Sequence, residues 1–293
     1  MVVGLSKLEV VGARFSYPGG VEALKGVSFS LEGGEVVGVL GPSGCGKTTL
    51  LLVAAGLLEP REGEVLLDGR PLKGQLPEAR RRLGIVFQEP DDQLFNPTVR
   101  DELAFALRQL GLSEAAIEER VGRVAAALGL SHLLGKPTFA LSGGEKKRVA
   151  IASVLVYEPE LLLLDEPTAY LDSRWKRALE NLILELKAAG AAVAVATHDV
   201  DFAARVADRA YLMVDGRVIA EGPAREILSD DRLLSEAGLE PPGPVAAFRA
   251  VGGVGKPPVR FEELRAALAA ALARRRPLPA RSRRARRTLP QRP

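Results

Sequence analysis

The stretch Gly41-Pro42-Ser43-Gly44-Cys45-Gly46-Lys47-Thr48-Thr49 fits the pattern G-x-x-x-x-G-K-[ST]. Before it, Glu35-Val36-Val37-Gly38-Val39-Leu40 is a short, valine-rich apolar run that predicts a buried strand. After it, Leu50-Leu51-Leu52-Val53-Ala54-Ala55 predicts a helix. Strand, glycine loop and helix, in that order, are the context a phosphate-binding loop needs. Gly41, Gly44 and Gly46 carry no Cβ, so backbone N–H groups can approach a polyphosphate closely. The phosphates then sit at the positive end of the helix that starts near Lys47. The Lys47 ammonium can reach the outer phosphates, and the Thr48 hydroxyl can ligate the Mg²⁺ that accompanies them. The competing reading is a glycine-rich strand-to-helix turn with a surface lysine.

The chain has 293 residues, 47% of them hydrophobic, and a mean hydropathy of +0.07. Those totals suit one large or two modest globular domains. No apolar run reaches the ~18 residues a spanning helix needs, and Met1 to Lys7 does not have the form of a signal peptide. A cytoplasmic, soluble chain is the expectation. Cys45 is the single cysteine, which excludes an internal disulfide framework. It reads as a small loop residue rather than a nucleophile. The net charge of +3 hides an asymmetry: residues 256–293 carry 12 Lys and Arg against 2 Asp and Glu, leaving −7 for the first 255. The basic character belongs to the tail, so the main domain is not marked as a nucleic-acid binder.

Leu8 to Val11 and Ala23 to Leu31 read as antiparallel strands around a Pro18-Gly19-Gly20 turn. Tyr17, just before that turn, is either a base-stacking aromatic or a strand-end residue packed on the turn; locally, packing is the simpler reading. Gly63 to Gly69 predicts a strand closed by an Asp-Gly turn, and Arg80-Arg81-Arg82 a solvated basic face. Leu83 to Gln88 predicts a strand ending on a polar residue, and Glu89 to Pro97 breaks regular structure. Thr98 to about Gly135 predicts a helical insert. Leu103, Phe105, Ala106 and Leu110 would line one face, and Ile117, Val121, Val124 and Leu128 another.

Leu141-Ser142-Gly143-Gly144-Glu145 opens a further helix, with Ser142 as N-cap and Glu145 as its capping-box partner. Two consecutive glycines in a first turn are costly. Bared backbone at a positive helix end points to a second anion site. Leu161 to Thr168 is an apolar strand ending in Asp165-Glu166. The first acid can hold Mg²⁺ and the second can activate water, or both can belong to a solvated loop. Leu179 to Ala189 predicts a helix. Ala192 to Thr197 predicts a buried strand ending at His198, a better candidate for chemistry than His132 in the helical insert. Tyr211 to Gly222 predicts a hairpin with another Asp-Gly turn. Pro241-Pro242-Gly243-Pro244 reads as a linker. Phe261 to Arg276 predicts an amphipathic helix with Phe261, Leu264, Leu268 and Leu272 on one side. Residues 277–293 read as a disordered basic tail.

Taken together, these residues resemble the ABC ATPase family over roughly Leu8 to Ile227. Gly41 to Thr48 is similar to its Walker A loop, Gln88 to its Q-loop glutamine, and Leu141 to Glu145 to its signature sequence. Leu161 to Glu166 resembles the Walker B strand with the catalytic glutamate, Leu171-Asp172 the D-loop, and His198 the switch histidine. Tyr17 then falls where the family stacks an aromatic on adenine. The resemblance implies an α/β fold: a phosphate-loop ATPase core with a mixed sheet and helices, an antiparallel β subdomain, a helical subdomain and a small C-terminal extension. It implies an ATPase domain over 1–230 with the helical subdomain at about 89–140, then an accessory segment over 231–276. ATP and Mg²⁺ are the implied cofactors. Gly41 to Thr49, Tyr17, Ser142, Gly143 and Gly144 would bind nucleotide. Thr48, Gln88 and Asp165 would arrange the metal, and Glu166, His198 and Gln88 would serve catalysis.

A narrower resemblance joins Phe87 to Phe95, Ser142 to Ala152 and Ala207 to Tyr211 to the energy-coupling-factor group, which includes the cobalt/nickel type. Its members pair two ATPase subunits under a transmembrane scaffold subunit and a substrate-capturing membrane subunit. This implies a peripheral place on the cytoplasmic face of the cell membrane, import of a metal ion or a vitamin, and no nucleic-acid partner. Another ABC transporter, a soluble ABC ATPase and a regulatory subunit with little turnover are the alternatives. Two positions depart from the wider pattern: residue 145 is Glu rather than Gln, and Tyr170 stands before Leu171 where a small residue is usual.

Overall fold

The structure is a computed structural model that describes residues 6–274. Among the described residues, ten strands form two sheets. In chain order they are β1 (Lys7–Ser16), β2 (Glu22–Glu32), β3 (Val36–Leu40), β4 (Glu62–Leu67), β5 (Arg70–Pro71), β6 (Leu83–Val86), β7 (Leu161–Asp165), β8 (Ala192–Thr197), β9 (Arg209–Val214) and β10 (Arg217–Pro223). The helices are α1 (Lys47–Ala54), α2 (Leu76–Arg82), α3 (Val99–Gln109), α4 (Glu114–Ala127), α5 (Gly143–Leu155), α6 (Ser173–Ala188), α7 (Val200–Val206), α8 (Ala224–Ile227), α9 (Asp231–Glu236), α10 (Gly243–Ala250) and α11 (Phe261–Arg274).

The six-stranded sheet runs β10-β9-β3-β8-β7-β6 and is parallel except at β10. Its inner strands β3, β7 and β8 are buried at every position, so they are apolar on both faces. The four-stranded sheet β2-β1-β4-β5 is antiparallel. Helix α1 lies between the two. Leu50, Leu51, Val53 and Ala54 share one core with Leu8, Leu24 and Leu31 of the small sheet and Val37 and Val39 of the large one. On the other face of the large sheet, α3, α4 and α5 close a second core around Leu103, Leu107, Val121 and Val149. Both Asp-Gly turns fall where expected, with Asp68 and Asp215 at φ 51° and 45°.

Parallel register fixes the site. Leu40 lies opposite Thr197, Asp165 opposite Ala196, and Val86 opposite Leu164. The carboxyl ends of β3, β8, β7 and β6 therefore deliver the glycine loop, His198, Asp165-Glu166 and Gln88 to one edge of the sheet.

Several expectations need correction. In α3 the buried stripe is Val99, Leu103, Ala104 and Leu107, with Glu102 among them, while Phe105 faces outward. Leu103 alone of the four expected core positions is fully buried. Pro241–Pro244 is not a loose linker: Pro244 is buried in the first turn of α10, and the Gly243 N–H donates to Asp201 at 2.9 Å. Leu234, Ala237, Val245 and Val259 share a core with Leu40, Ala203 and Leu212, so the chain after Asp230 packs against the ATPase-like sheet. In α11 Leu264 is buried, whereas Phe261, Leu268 and Leu272 remain exposed. Arg82 is no free surface charge, since it bridges Asp68 and Glu160. The basic tail, 277–293, lies outside the described residues.

Candidate active site

The loop from Gly41 to Gly46 is shaped by what lies beneath it. A Cβ on Gly46, at φ 108°, would stand 2.5 Å from the Ala23 carbonyl, and one on Gly41 would stand 2.3 Å from the Met213 carbonyl. Tight packing under the loop therefore demands glycine there, as well as approach to phosphate. Cys45 is buried under the loop, and burial pushes its thiol up. Lys47 is buried at the start of α1, and its Nζ donates to the carbonyls of Gly41 at 2.8 Å and Pro42 at 3.0 Å. An ammonium has three donors; Glu166 Oε1 lies 3.8 Å from this one.

Thr48 Oγ1 donates to Asp165 Oδ2 at 2.6 Å. Asp165 is almost fully buried, and its Oδ1 has no hydrogen-bond partner among the described residues. Burial pushes its carboxyl up, while the Thr48 hydrogen bond, Lys147 and Lys47 pull the other way. A buried carboxylate oxygen left unpaired beside a hydroxyl is an oxygen donor set of the kind Mg²⁺ takes, with phosphate and water completing its shell. The residues present therefore fit that ion, and the exposed side chain of Gln88 lines the same cleft.

Glu166 follows at φ 41°, in the left-handed region that a non-glycine residue enters at a cost. Three donors hold its carboxylate. Thr197 Oγ1 reaches Oε2 at 2.9 Å; the His198 N–H and His198 Nδ1 reach Oε1 at 3.1 and 2.9 Å. The end of β8 thus aims Glu166 and sets the tilt of the exposed imidazole. Neither acid belongs to a solvated loop: Asp165 is 2% exposed and Glu166 8%.

Around these residues opens a cleft of about 930 Å³. Tyr17, Ser43, Gly44, Gly46, Lys47, Thr48, Thr49, Gln88, Asp165, Glu166 and His198 all line it. Gly41, Pro42 and Cys45 do not. Tyr17 packs as its local reading has it, the ring edge-on to Phe15 at 5.0 Å and the hydroxyl 3.2 Å from Thr49 Oγ1, and it also lines the cleft. Ser142, Gly143 and Gly144 are absent from the lining. Their helix is capped as expected, Ser142 accepting the Glu145 N–H and Glu145 accepting the Ser142 N–H. The two glycines also have a packing role, because Tyr170 stands over both.

Three residues escaped the sequence reading. Lys147 in α5 is 0% exposed, and its Nζ donates to the carbonyls of Phe87, Gln88 and Asp165 at 2.9, 3.0 and 3.3 Å. It clamps the ends of β6 and β7, and burial draws its pKa down to about 8. Its spacing to Ala150, Ile151 and Val154, which puts a lysine on the buried stripe of the helix, was the available signal. Gln93 accepts the Phe87 N–H and donates to the Ala150 carbonyl, tying the same segment to α5. Thr197, read only as a strand end, orients Glu166.

A lysine over a glycine loop at a helix start, a hydroxyl paired with a buried aspartate, and a strained glutamate beside a histidine define a phosphate-loop nucleoside triphosphatase. The comparisons with known proteins narrow the class. The profile described as "ABC transporter" matches residues 24–169. The energy-coupling factor transporter ATP-binding protein EcfA of Methanocaldococcus jannaschii is 44% identical over 238 residues, spanning 80% of this chain and 85% of the relative. The cobalt import ATP-binding protein CbiO of Rhodobacter capsulatus is 48% identical over 231 residues, 78% and 82% of the two chains. The solved structure of cbiO1 from Clostridium perfringens, described as part of the transporter complex cbiONQ, superposes with a TM-score of 0.67 at 38% identity over 78% of this chain and 93% of that one. The chain belongs to the ABC transporter ATP-binding family, and it is an ATPase.

Proposed function

We propose that this protein is the ATP-hydrolysing subunit of a membrane importer of the energy-coupling-factor type, driving uptake of a metal ion such as cobalt or nickel, or of a vitamin. The names of the relatives EcfA and CbiO support the group. The observation that carries the assembly is the separation of the two phosphate-facing elements. Ser142, Gly143 and Gly144 do not line the cleft that Lys47 lines, which supports a second ATPase subunit whose own Ser142–Gly144 would cap the nucleotide. Two subunits packed head to tail satisfy both sites at once.

In that arrangement ATP is held by Lys47, Ser43 to Thr49 and the face of Tyr17. Thr48, Asp165 and Gln88 would hold Mg²⁺, which when bound would neutralise charge on the phosphates. Glu166 takes the proton of the attacking water, positioned for it by Thr197 and His198. His198 contacts the γ-phosphate. Closure of the pair around ATP and its opening after hydrolysis drive the membrane subunits.

The segment after Gln88 supports a membrane-bound partner. The carboxylate of Glu102, buried in α3, accepts the N–H groups of Phe95 and Asn96 and the Asn96 side chain. That loop is anchored, yet it holds Phe95 67% exposed, stacked edge-on to the exposed Phe105 at 4.9 Å. A fixed loop that presents two aromatic rings outward suits a partner surface. Leu94 turns inward and packs on the core, so substitution there would perturb folding rather than coupling. No helix among the described residues is long and apolar enough to cross a membrane. The test is affinity purification from detergent-solubilised membranes, with wild type and Phe95→Ala side by side. Recovery of a polytopic membrane protein, weakened by Phe95→Ala while ATP binding holds, supports the importer. Recovery with soluble proteins or nucleic acid alone favours a soluble ABC ATPase.

A further inference from the structure

Tyr170 is not a residue the fold requires. It sits at φ 65°, in the left-handed region, where glycine is at ease and a tyrosine is strained. Its ring is more than half exposed, so burial does not explain it either. What the side chain does is reach across to two other segments. Its hydroxyl donates to the Glu89 carboxylate, 2.8 Å from Oε2 and 3.1 Å from Oε1. Its ring lies 3.3 Å from where a Cβ of Gly143 would stand, and its carbonyl 3.0 Å from that of Gly144. Directly after it, Leu171 and Asp172 lead into α6, where Asp172 caps the helix by accepting the Trp175 N–H.

We propose that Tyr170 is a positioning residue that ties the Leu171–Asp172 loop to the Gln88–Glu89 segment, so that Gln88 in the cleft and Gly143–Gly144 at the start of α5 are set together. On its inner side the Gln88 backbone is held by Lys147. On its outer side the next residue, Glu89, takes side-chain hydrogen bonds from Tyr170 only, among the described residues. The Gln88 side chain therefore projects from a short segment pinned at both ends. Loss of the outer pin leaves Lys47 and Tyr17 untouched and loosens the residue placed at the metal and water. Capture of nucleotide should survive and turnover should fall. An exposed hydroxyl–carboxylate contact does little for stability, which separates positioning from a merely structural role.

The proposal rests on Gln88 acting in the cleft, so Gln88→Ala is measured alongside. Steady-state ATPase kinetics and thermal unfolding of the full chain are compared for wild type, Tyr170→Phe, Tyr170→Gly, Glu89→Ala and the double variant Tyr170→Phe/Glu89→Ala. Tyr170→Phe and Glu89→Ala should each lower kcat about three- to tenfold with KM within about twofold, as expected for lost alignment of a reacting group. The double variant should be no worse than the poorer single one, because both remove the same contact. Tyr170→Gly should lose kcat equally while Tm holds or rises, because the backbone strain goes with the side chain. Wild-type kcat in Tyr170→Phe, additive losses in the double variant, or a parallel fall of Tm and kcat would overturn the proposal. If Gln88→Ala turns over like wild type, the placement of Gln88 fails and the Tyr170 proposal fails with it. If Gln88→Ala is slow but Tyr170→Phe is not, only the latter fails.

Discussion

Replacing Lys147 by methionine isolates the clamp between α5 and the ends of β6 and β7. Methionine matches the unbranched stem of lysine and fills its space, but it brings no donor. The carbonyls of Phe87, Gln88 and Asp165 each lose a charge-assisted hydrogen bond, at about 1.5–3 kcal/mol apiece. Against that, the substitution relieves a buried ammonium whose pKa burial has drawn from 10.5 to about 8, which is worth roughly 3 kcal/mol at about 1.4 kcal/mol per pH unit. The balance is a destabilisation of about 1.5–6 kcal/mol. Urea unfolding of the full chain reads it as a lowered midpoint at constant slope. ATPase turnover should fall further than stability alone explains, because Gln88 and Asp165 lose their common support. A variant within about 0.5 kcal/mol of wild type, the ordinary range for inconsequential surface changes, would show that those carbonyls have no need of Lys147.

Tyr17→Ala should weaken ATP binding by about 1–3 kcal/mol if a base stacks on its ring in the cleft; Tyr17→Phe, which loses only the contact with Thr49, should be nearly neutral. Equal binding by wild type and both variants, read by calorimetry, would leave Tyr17 as packing for Phe15. Lys47→Ala should reduce nucleotide affinity itself, because it removes the buried cation at the loop. Equilibrium binding of a fluorescent ATP analogue checks this, and unchanged affinity would contradict it. Phe95→Ala should leave ATP affinity unchanged and lower solute uptake per ATP hydrolysed in reconstituted vesicles, and an unchanged ratio would remove Phe95 from the partner surface.

The fold was legible where local chemistry and tertiary context agree. The valine run of β3, the glycine loop and the Asp-Gly turns each impose one backbone path, and the strands formed where the apolar runs lay. Glu102 broke that agreement in α3: an acid sits on the buried face because it caps the loop at Phe95 and Asn96, so the hydrophobic period pointed to Phe105 instead. Pro241–Pro244 misled for a similar reason. Prolines read as a linker also suit the first turn of a helix, and only the packing of Val245 and Val259 decides between the two. Within the site, the loop lysine, Asp165, Glu166 and His198 were readable because each stands at a strand end or helix start. Lys147 and Thr197 act through backbone and side-chain contacts with residues far off in sequence, which spacing alone does not reveal.

The most direct test of the chemistry is Glu166→Gln in the presence of ATP and Mg²⁺. The amide keeps the size, its oxygen can still accept the His198 N–H and its nitrogen can donate to Thr197 Oγ1, but it cannot accept the proton of a water molecule. Size-exclusion chromatography with light scattering, run beside a phosphate-release assay, measures both consequences on one sample. The expected result is an ATP-dependent dimer with nucleotide retained and turnover lowered at least about a hundredfold, the lower range for loss of a general base. A variant that hydrolyses ATP at a near-normal rate and remains monomeric would contradict both the role of Glu166 and the head-to-tail pair.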